Sequence, residues 1–167
     1  MRFGRPKGAG ATPDAIEVLY RARYRAFLKV AAGVAGERNA ADAVHNAFLH
    51  ALRGRSSFRG DSSLETWLWR TVINAAHDLR DLERDVSPRE EPPFEPLHTQ
   101  QDVRGDEFVR EVILALPTQQ QLTLFLRYYA DLDYRAIAAI LEVTPGTVGA
   151  ALHNAHAAVR QRLQEAV

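Results

Sequence analysis

The chain has 167 residues, 46% of them hydrophobic and 25% charged, which suits one ordinary globular domain or two small ones. It contains no cysteine, so a disulfide framework, a thiolate nucleophile and a cysteine-based zinc site are excluded. No apolar run approaches the roughly 20 residues of a membrane span, and Met1–Pro13 carries Arg2, Arg5 and Lys7 without the apolar stretch of a secretory signal. A cytoplasmic protein with no membrane insertion is expected. The formal net charge is zero, whereas nucleic-acid binders usually carry a basic excess that neutralises phosphates. Any DNA binding is therefore expected to need help from a partner.

Residues 1–13 read as a basic, disordered tail. Residues 14–86 read as a block of three or four helices. Ile16, Leu19, Tyr20, Tyr24, Phe27, Leu28 and Ala31 recur at helical spacing, and after Gly36 so do Ala40, Val44, Ala47, Phe48, Ala51 and Leu52. Gly54–Ser63 is a polar break. Ser62 or Ser63 is placed to cap a third helix, whose apolar stripe is Leu64, Trp67, Leu68, Thr71, Val72, Ala75, Leu79 and Leu82. Residues 87–105 hold Pro88, Pro92, Pro93 and Pro96 with Glu90, Glu91 and Glu95, which reads as an acidic, semi-extended linker.

Residues 106–167 form a second helical block. Phe108, Val109, Val112, Ile113 and Leu116 start it, Pro117 stops that helix, and Thr118 is placed to cap the next, which carries Leu122, Phe125, Leu126 and Tyr129. Asp131-Leu132-Asp133 reads as a turn, and Ile137, Ala138 and Leu141 mark a short helix. After a turn at Glu142-Val143, Thr144 caps and Pro145 opens a longer helix lined by Val148, Leu152, Ala155, Val159 and Leu163. A short helix, a tight turn and a longer helix make the helix-turn-helix pattern. The fold class expected is all-α, two small helical domains joined by a proline-rich acidic linker.

Two sets of residues now carry a resemblance. Leu116-Pro117, Leu126-Arg127-Tyr128-Tyr129, Asp133-Tyr134-Arg135-Ala136-Ile137-Ala138, Thr144-Pro145-Gly146-Thr147-Val148 and Leu152-His153 follow the order of the upstream-promoter-binding domain of extracytoplasmic-function sigma factors. Ala41 to Leu49 resembles that family's polymerase-docking helix. Ser57-Phe58-Arg59-Gly60, followed by Leu64, Trp67-Leu68, Arg70, Asn74 and Asp78, resembles its promoter-melting segment. The resemblance implies a non-enzymatic factor that binds core RNA polymerase at its clamp and flap regions and directs it to promoters. It also implies an anti-sigma partner and no cofactor or metal.

Residue by residue, the resemblance implies docking on polymerase through Asp42, His45, Asn46 and Leu49. These residues stand three and four apart and so share one helix face; without the resemblance that face reads as solvated and polar. Contacts to the −10 element are implied for Arg55, Arg59, Asp61, Ser62, Ser63, Trp69, Arg70, Asn74 and Asp78. Arg55, Arg59 and Arg70 suit phosphates. Trp67 shares the apolar stripe and reads as core, while Trp69 lies off it and reads as a base-stacking or surface residue. Asn74 equally suits a bond between helices. Contacts to the −35 element are implied for Arg127, Thr144, Thr147, His153, Asn154, His156 and Arg160. Where the family often has lysine, serine and arginine, this chain has Gly149, Ala150 and Ala151, so weak intrinsic −35 binding is expected, offset by tethering to polymerase.

Other constellations carry less. His153 and His156 stand three apart but have no clear third metal ligand. Asp131 and Asp133 lack the rest of a calcium loop, and no phosphate-binding loop or hydrolase signature occurs. The alternatives are a degenerate sigma-like or helix-turn-helix regulator that does not initiate alone, and a helical protein-interaction module.

Overall fold

The computed structural model describes residues 10–86 and 103–165, and among these every regular element is helical. In chain order they are α1 (Pro13–Ala35), α2 (Glu37–Arg53), a single 3-10 turn (Arg55–Ser57), α3 (Leu64–Val86), α4 (Val103–Leu114), α5 (Thr118–Tyr128), α6 (Tyr134–Leu141) and α7 (Pro145–Glu165). The expected all-α class is what the structure has. The expected linker lies largely outside the described residues, but α4 begins at Val103, inside its last three positions.

Local chemistry sets the helix ends. Thr12 Oγ1 accepts from the Ala15 amide at 3.2 Å with Pro13 in the first position, so α1 starts with one of its free amides satisfied. Gly36, at φ 83°, turns the chain into α2 while its amide bonds the Ala32 carbonyl. Ser63, rather than Ser62, caps α3 by accepting from the Thr66 amide at 3.0 Å. Thr118 is not a cap. Pro117 holds that position, and its carbonyl accepts from the Gln120 and Gln121 amides. The Gln121 side chain in turn donates to the carbonyls of Leu114 (2.9 Å) and Leu116 (2.7 Å), closing the end of α4.

The expected disordered tail needs correction at its end, with residues 1–9 lying outside the described ones. Ala11 is buried, and its amide donates to the Arg55 carbonyl at 3.0 Å. Gly10 lies so close to the 3-10 turn that a Cβ there would sit 2.6 Å from the Arg55 oxygen.

Helices α1 to α3 pack around Phe27, Val44, Phe48, Leu68, Trp69 and Val72. Four alanines of α2 (Ala40, Ala43, Ala47, Ala51) are buried and let its backbone approach α1 and α3. Aromatic rings run through this core from Tyr20 to Phe48 (4.1 Å), Phe48 to Phe27 (5.7 Å) and Phe27 to Trp69 (4.4 Å). Helices α4 to α7 enclose Leu122, Leu126, Ile137, Val148, Leu152 and Ala155.

The two blocks also touch. The Phe125 ring of α5 lies on the backbone of α1 at Gly33, where an added Cβ would fall 2.4 Å from the ring. Lys29 Nζ stands 5.9 Å from the centre of the Tyr129 ring. Arg70 of α3 reaches the end of α6, donating to the carbonyls of Ala139 and Ile140 and standing 3.3 Å from the Glu142 carboxylate. A glycine inside a helix costs ~1 kcal/mol against alanine, so Gly33 gives up helix stability at the point where Phe125 is seated.

Candidate nucleic-acid interface

The exposed face of α2 is built by its period. Ala43, Val44, Ala47 and Phe48 point into the core, which turns Asp42, His45 and Asn46 to solvent and leaves Leu49 half-buried beside them. The structure therefore brings these four residues onto one surface strip, three polar groups flanking one leucine.

The loop between α2 and α3 is braced from both ends. Arg55 Nη1 donates to the Leu52 carbonyl at 2.7 Å and Ser57 Oγ to the Gly54 carbonyl at 2.6 Å, which ties the 3-10 turn to the end of α2. Phe58 is buried and anchors the turn. Beyond it Gly60, at φ 76°, reverses the chain, and Arg59 and Asp61 project into solvent. Ser62 is half-buried and Ser63 is occupied as the α3 cap.

On α3 the burial of the two tryptophans is the reverse of that expected. Trp69 is fully buried against Phe27 and cannot stack on a base. Trp67 is only half-buried, 5.5 Å from Phe58, and it borders the polar loop. The stripe is rotated by about one residue from the expected one: Thr66, Trp69, Val72, Ile73 and Ala76 are buried, while Thr71 and Leu79 are half-buried and Leu82 is exposed. The signal for this was present in Ile73 and Ala76, which stand four and seven residues after Trp69. Arg70 also departs from expectation, since its guanidinium is engaged by the end of α6. Asn74 and Asp78 lie exposed four residues apart, and among the described residues no bond to another helix occupies Asn74.

In the second block α6 and α7 meet at 100°, within the range of a helix-turn-helix. Asp133 caps α6 by accepting from the Ala136 amide at 2.8 Å. Glu142 ends α6 in the left-handed region at φ 57°, and Thr144 caps α7 by accepting from the Thr147 amide at 3.1 Å. The residues expected at the −35 element then divide. Thr147, His153, Asn154, His156 and Arg160 are all exposed, as is Thr144, which is held as the α7 cap. His156 follows Asn154 by two residues, about 200° of helical rotation, and its Nε2 lies 2.8 Å from the Tyr128 hydroxyl of α5. Arg160 borders an open, mainly apolar groove of 480 Å³ lined also by Ile113, Leu124, Phe125, Val159 and Leu163. Arg127 is half-buried and donates to the Leu132 carbonyl at 2.9 Å, holding the turn between α5 and α6.

Known proteins match both blocks. Residues 19–84 match the family model for Sigma-70 region 2, and residues 109–159 match that for Sigma-70, region 4. The RNA polymerase sigma-H factor of Pseudomonas aeruginosa is 31% identical over 143 residues, covering 76% of this chain and 74% of that one. The ECF RNA polymerase sigma-E factor of Escherichia coli K12 is 30% identical over 139 residues, covering 74% and 73%. Among solved structures, CnrH in complex with the cytosolic domain of CnrY aligns over 93% of this chain and 91% of that one, at TM-score 0.70 and 18% identity. The sigma factor RpoE in complex with the anti-sigma factor NepR from Bartonella quintana aligns over 90% and 95%, at TM-score 0.68 and 18% identity.

Proposed function

The chain belongs to the sigma-70 family of RNA polymerase sigma factors, in its extracytoplasmic-function group, and directs promoter-specific initiation of transcription; we propose that its two helical blocks divide that work. The first block, residues 14–86, docks on core polymerase through Asp42, His45, Asn46 and Leu49 and handles the −10 element with Arg59, Asp61, Asn74 and Asp78. Trp67, which borders the same loop, takes the base-stacking role first assigned to Trp69. The second block, residues 106–167, meets the −35 element with Thr147, His153 and Asn154. The chain performs no chemistry on substrate and works in the cytoplasm alongside polymerase.

One observation carries this division: the polar strip of α2, the loop at Arg59 and the exposed edge of α7 are three separate surfaces, each on an element that the core fixes in place. A partner of the anti-sigma kind is proposed as well, because two proteins of this fold were solved with partners, one of them named an anti-sigma factor. Matches in both blocks favour an initiating factor over a free-standing helix-turn-helix regulator.

Run-off transcription with sigma-free core polymerase on genomic promoter fragments tests the proposal. Specific initiation is expected, lost with Asp42→Arg and reduced about tenfold with Arg59→Ala, on the scale of one lost charge-assisted phosphate contact. Initiation unaffected by Asp42→Arg would refute the assigned docking face.

A further inference from the structure

We propose that the open groove between α4, α5 and α7 binds a free fatty acid, its hydrocarbon chain along the apolar walls and its carboxylate on Arg160. The site uses side chains that the promoter and polymerase contacts proposed above leave over.

The groove lies between two helix faces. Phe125 and Tyr128 line it from α5, and His156, Val159, Arg160 and Leu163, at spacings of three and four, line it from α7. From His156 to Leu163 the helix rises about 10 Å, so the groove follows roughly two turns of α7. Its volume of 480 Å³ falls within the range of about 300–1,000 Å³ usual for small-molecule sites. Much of this surface is left in water, with Tyr128 61%, Tyr129 45% and Leu163 42% exposed. Covering it with methylene groups is favourable in proportion to the area removed from water. A flexible chain follows a groove two turns long, whereas a compact planar ring would cover only part of it.

Charge selects the head group. Among the described residues, Arg160 is the one formally charged side chain of the lining, and no acidic residue lines the groove. The polar pair beside it satisfies itself, the Tyr128 hydroxyl and His156 Nε2 lying 2.8 Å apart. Among the described residues no carboxylate stands within ion-pair distance of Arg160. Its guanidinium is therefore left at the edge of an apolar surface, with a fork of donors that matches the two oxygens of a carboxylate. A cationic amphiphile would be repelled there, and a neutral one would gain only the apolar contact.

Isothermal titration of the full-length chain with sodium dodecanoate, kept below its micelle concentration, tests this. One saturable site is expected, with helical circular dichroism unchanged. Affinity should fall about twofold to fourfold for each methylene removed, read with decanoate and octanoate. Arg160→Gln should weaken decanoate about tenfold, the scale of one charge-assisted bond, and leave the weaker binding of decanol unchanged. Leu163→Asp, at an exposed position, should weaken both. No saturable site, binding indifferent to both substitutions, or equal binding of dodecyltrimethylammonium overturns the proposal. The titration contains neither DNA nor polymerase, so a chain that binds dodecanoate as expected but never initiates would refute the functional reading alone.

Discussion

Trp67 and Trp69 differ by two positions and by the whole of their environment. Truncating Trp69 to alanine empties the centre of the first block and is expected to cost 3–5 kcal/mol, on the order found for large core aromatics. Trp67→Ala removes a half-buried ring and should cost less than half as much, while weakening binding to single-stranded −10 DNA. Urea unfolding of both variants, with binding of a −10 oligonucleotide in complex with polymerase, checks the pair. Equal losses of stability would refute the reversed burial. The sequence marked both residues as aromatic on α3. It did not fix which faces inward, because Leu64, Trp67, Leu68, Thr71 and Ala75 make one apolar stripe on α3 and Trp69, Val72, Ile73 and Ala76 make another, so two rotations fit almost equally well.

His77 offers a second test at this scale. Burial holds its imidazole below the usual histidine range, with Arg80 adding to that and Asp81 and Asp78 opposing it. The unfolded chain therefore binds this proton more readily than the folded one. Stability should be complete above about pH 6.5 and should fall as the pH drops through that value toward the lower folded pKa. Unfolding midpoints at pH 7.5 and pH 5.5 should differ less in His77→Asn than in the parent chain; an unchanged difference would assign the slope to other groups.

At the scale of elements, the helices were legible because caps and breakers coincide with periodicity. Gly36, Ser63, Asp133 and the Thr144-Pro145 pair each mark a boundary that the structure has. Two boundaries were not legible. Thr118 matched the cap preference, but the chain enters α5 through the extended backbone of Pro117 (ψ 141°), which leaves Thr118 inside the helix. Gly10–Thr12 carries no periodic signal at all, since its order comes from contact with a turn more than forty residues away. Thr144→Ala should lower the stability of the second block by about 1 kcal/mol, the usual worth of such a cap. Circular dichroism melting reads this directly, and a change within error would show that Pro145 alone sets the start of α7.

For the whole molecule, the sequence pattern specified two blocks in order but nothing of their contact. Periodicity reports which face of a helix is apolar, not which distant helix covers it. Gly33 with Phe125 and Arg70 with Ile140 are pairs separated by 92 and 70 positions. Each member also reads locally as something else: a glycine near a helix end, a core aromatic, a phosphate-binding arginine. The site residues split in the same way. That Asp42, His45, Asn46 and Leu49 share one face of α2 was legible, because the period of a single helix defines it. Those on α7 lie on more than one face, since Thr147 and Asn154 stand seven residues apart on one edge while His156, bonded to the Tyr128 hydroxyl, and Arg160 stand on another with His153.

Glu142 is a non-glycine residue in a left-handed corner, a conformation that costs an ordinary side chain on the order of 1–2 kcal/mol. Glycine there would relieve the corner and make the second block more heat-resistant, yet it would remove the carboxylate that faces Arg70. Robustness and restraint are thus set against each other at a single position. Selection of variants for thermal tolerance alone should drift toward glycine at 142, and the hardier proteins it yields should hold their two blocks together less firmly.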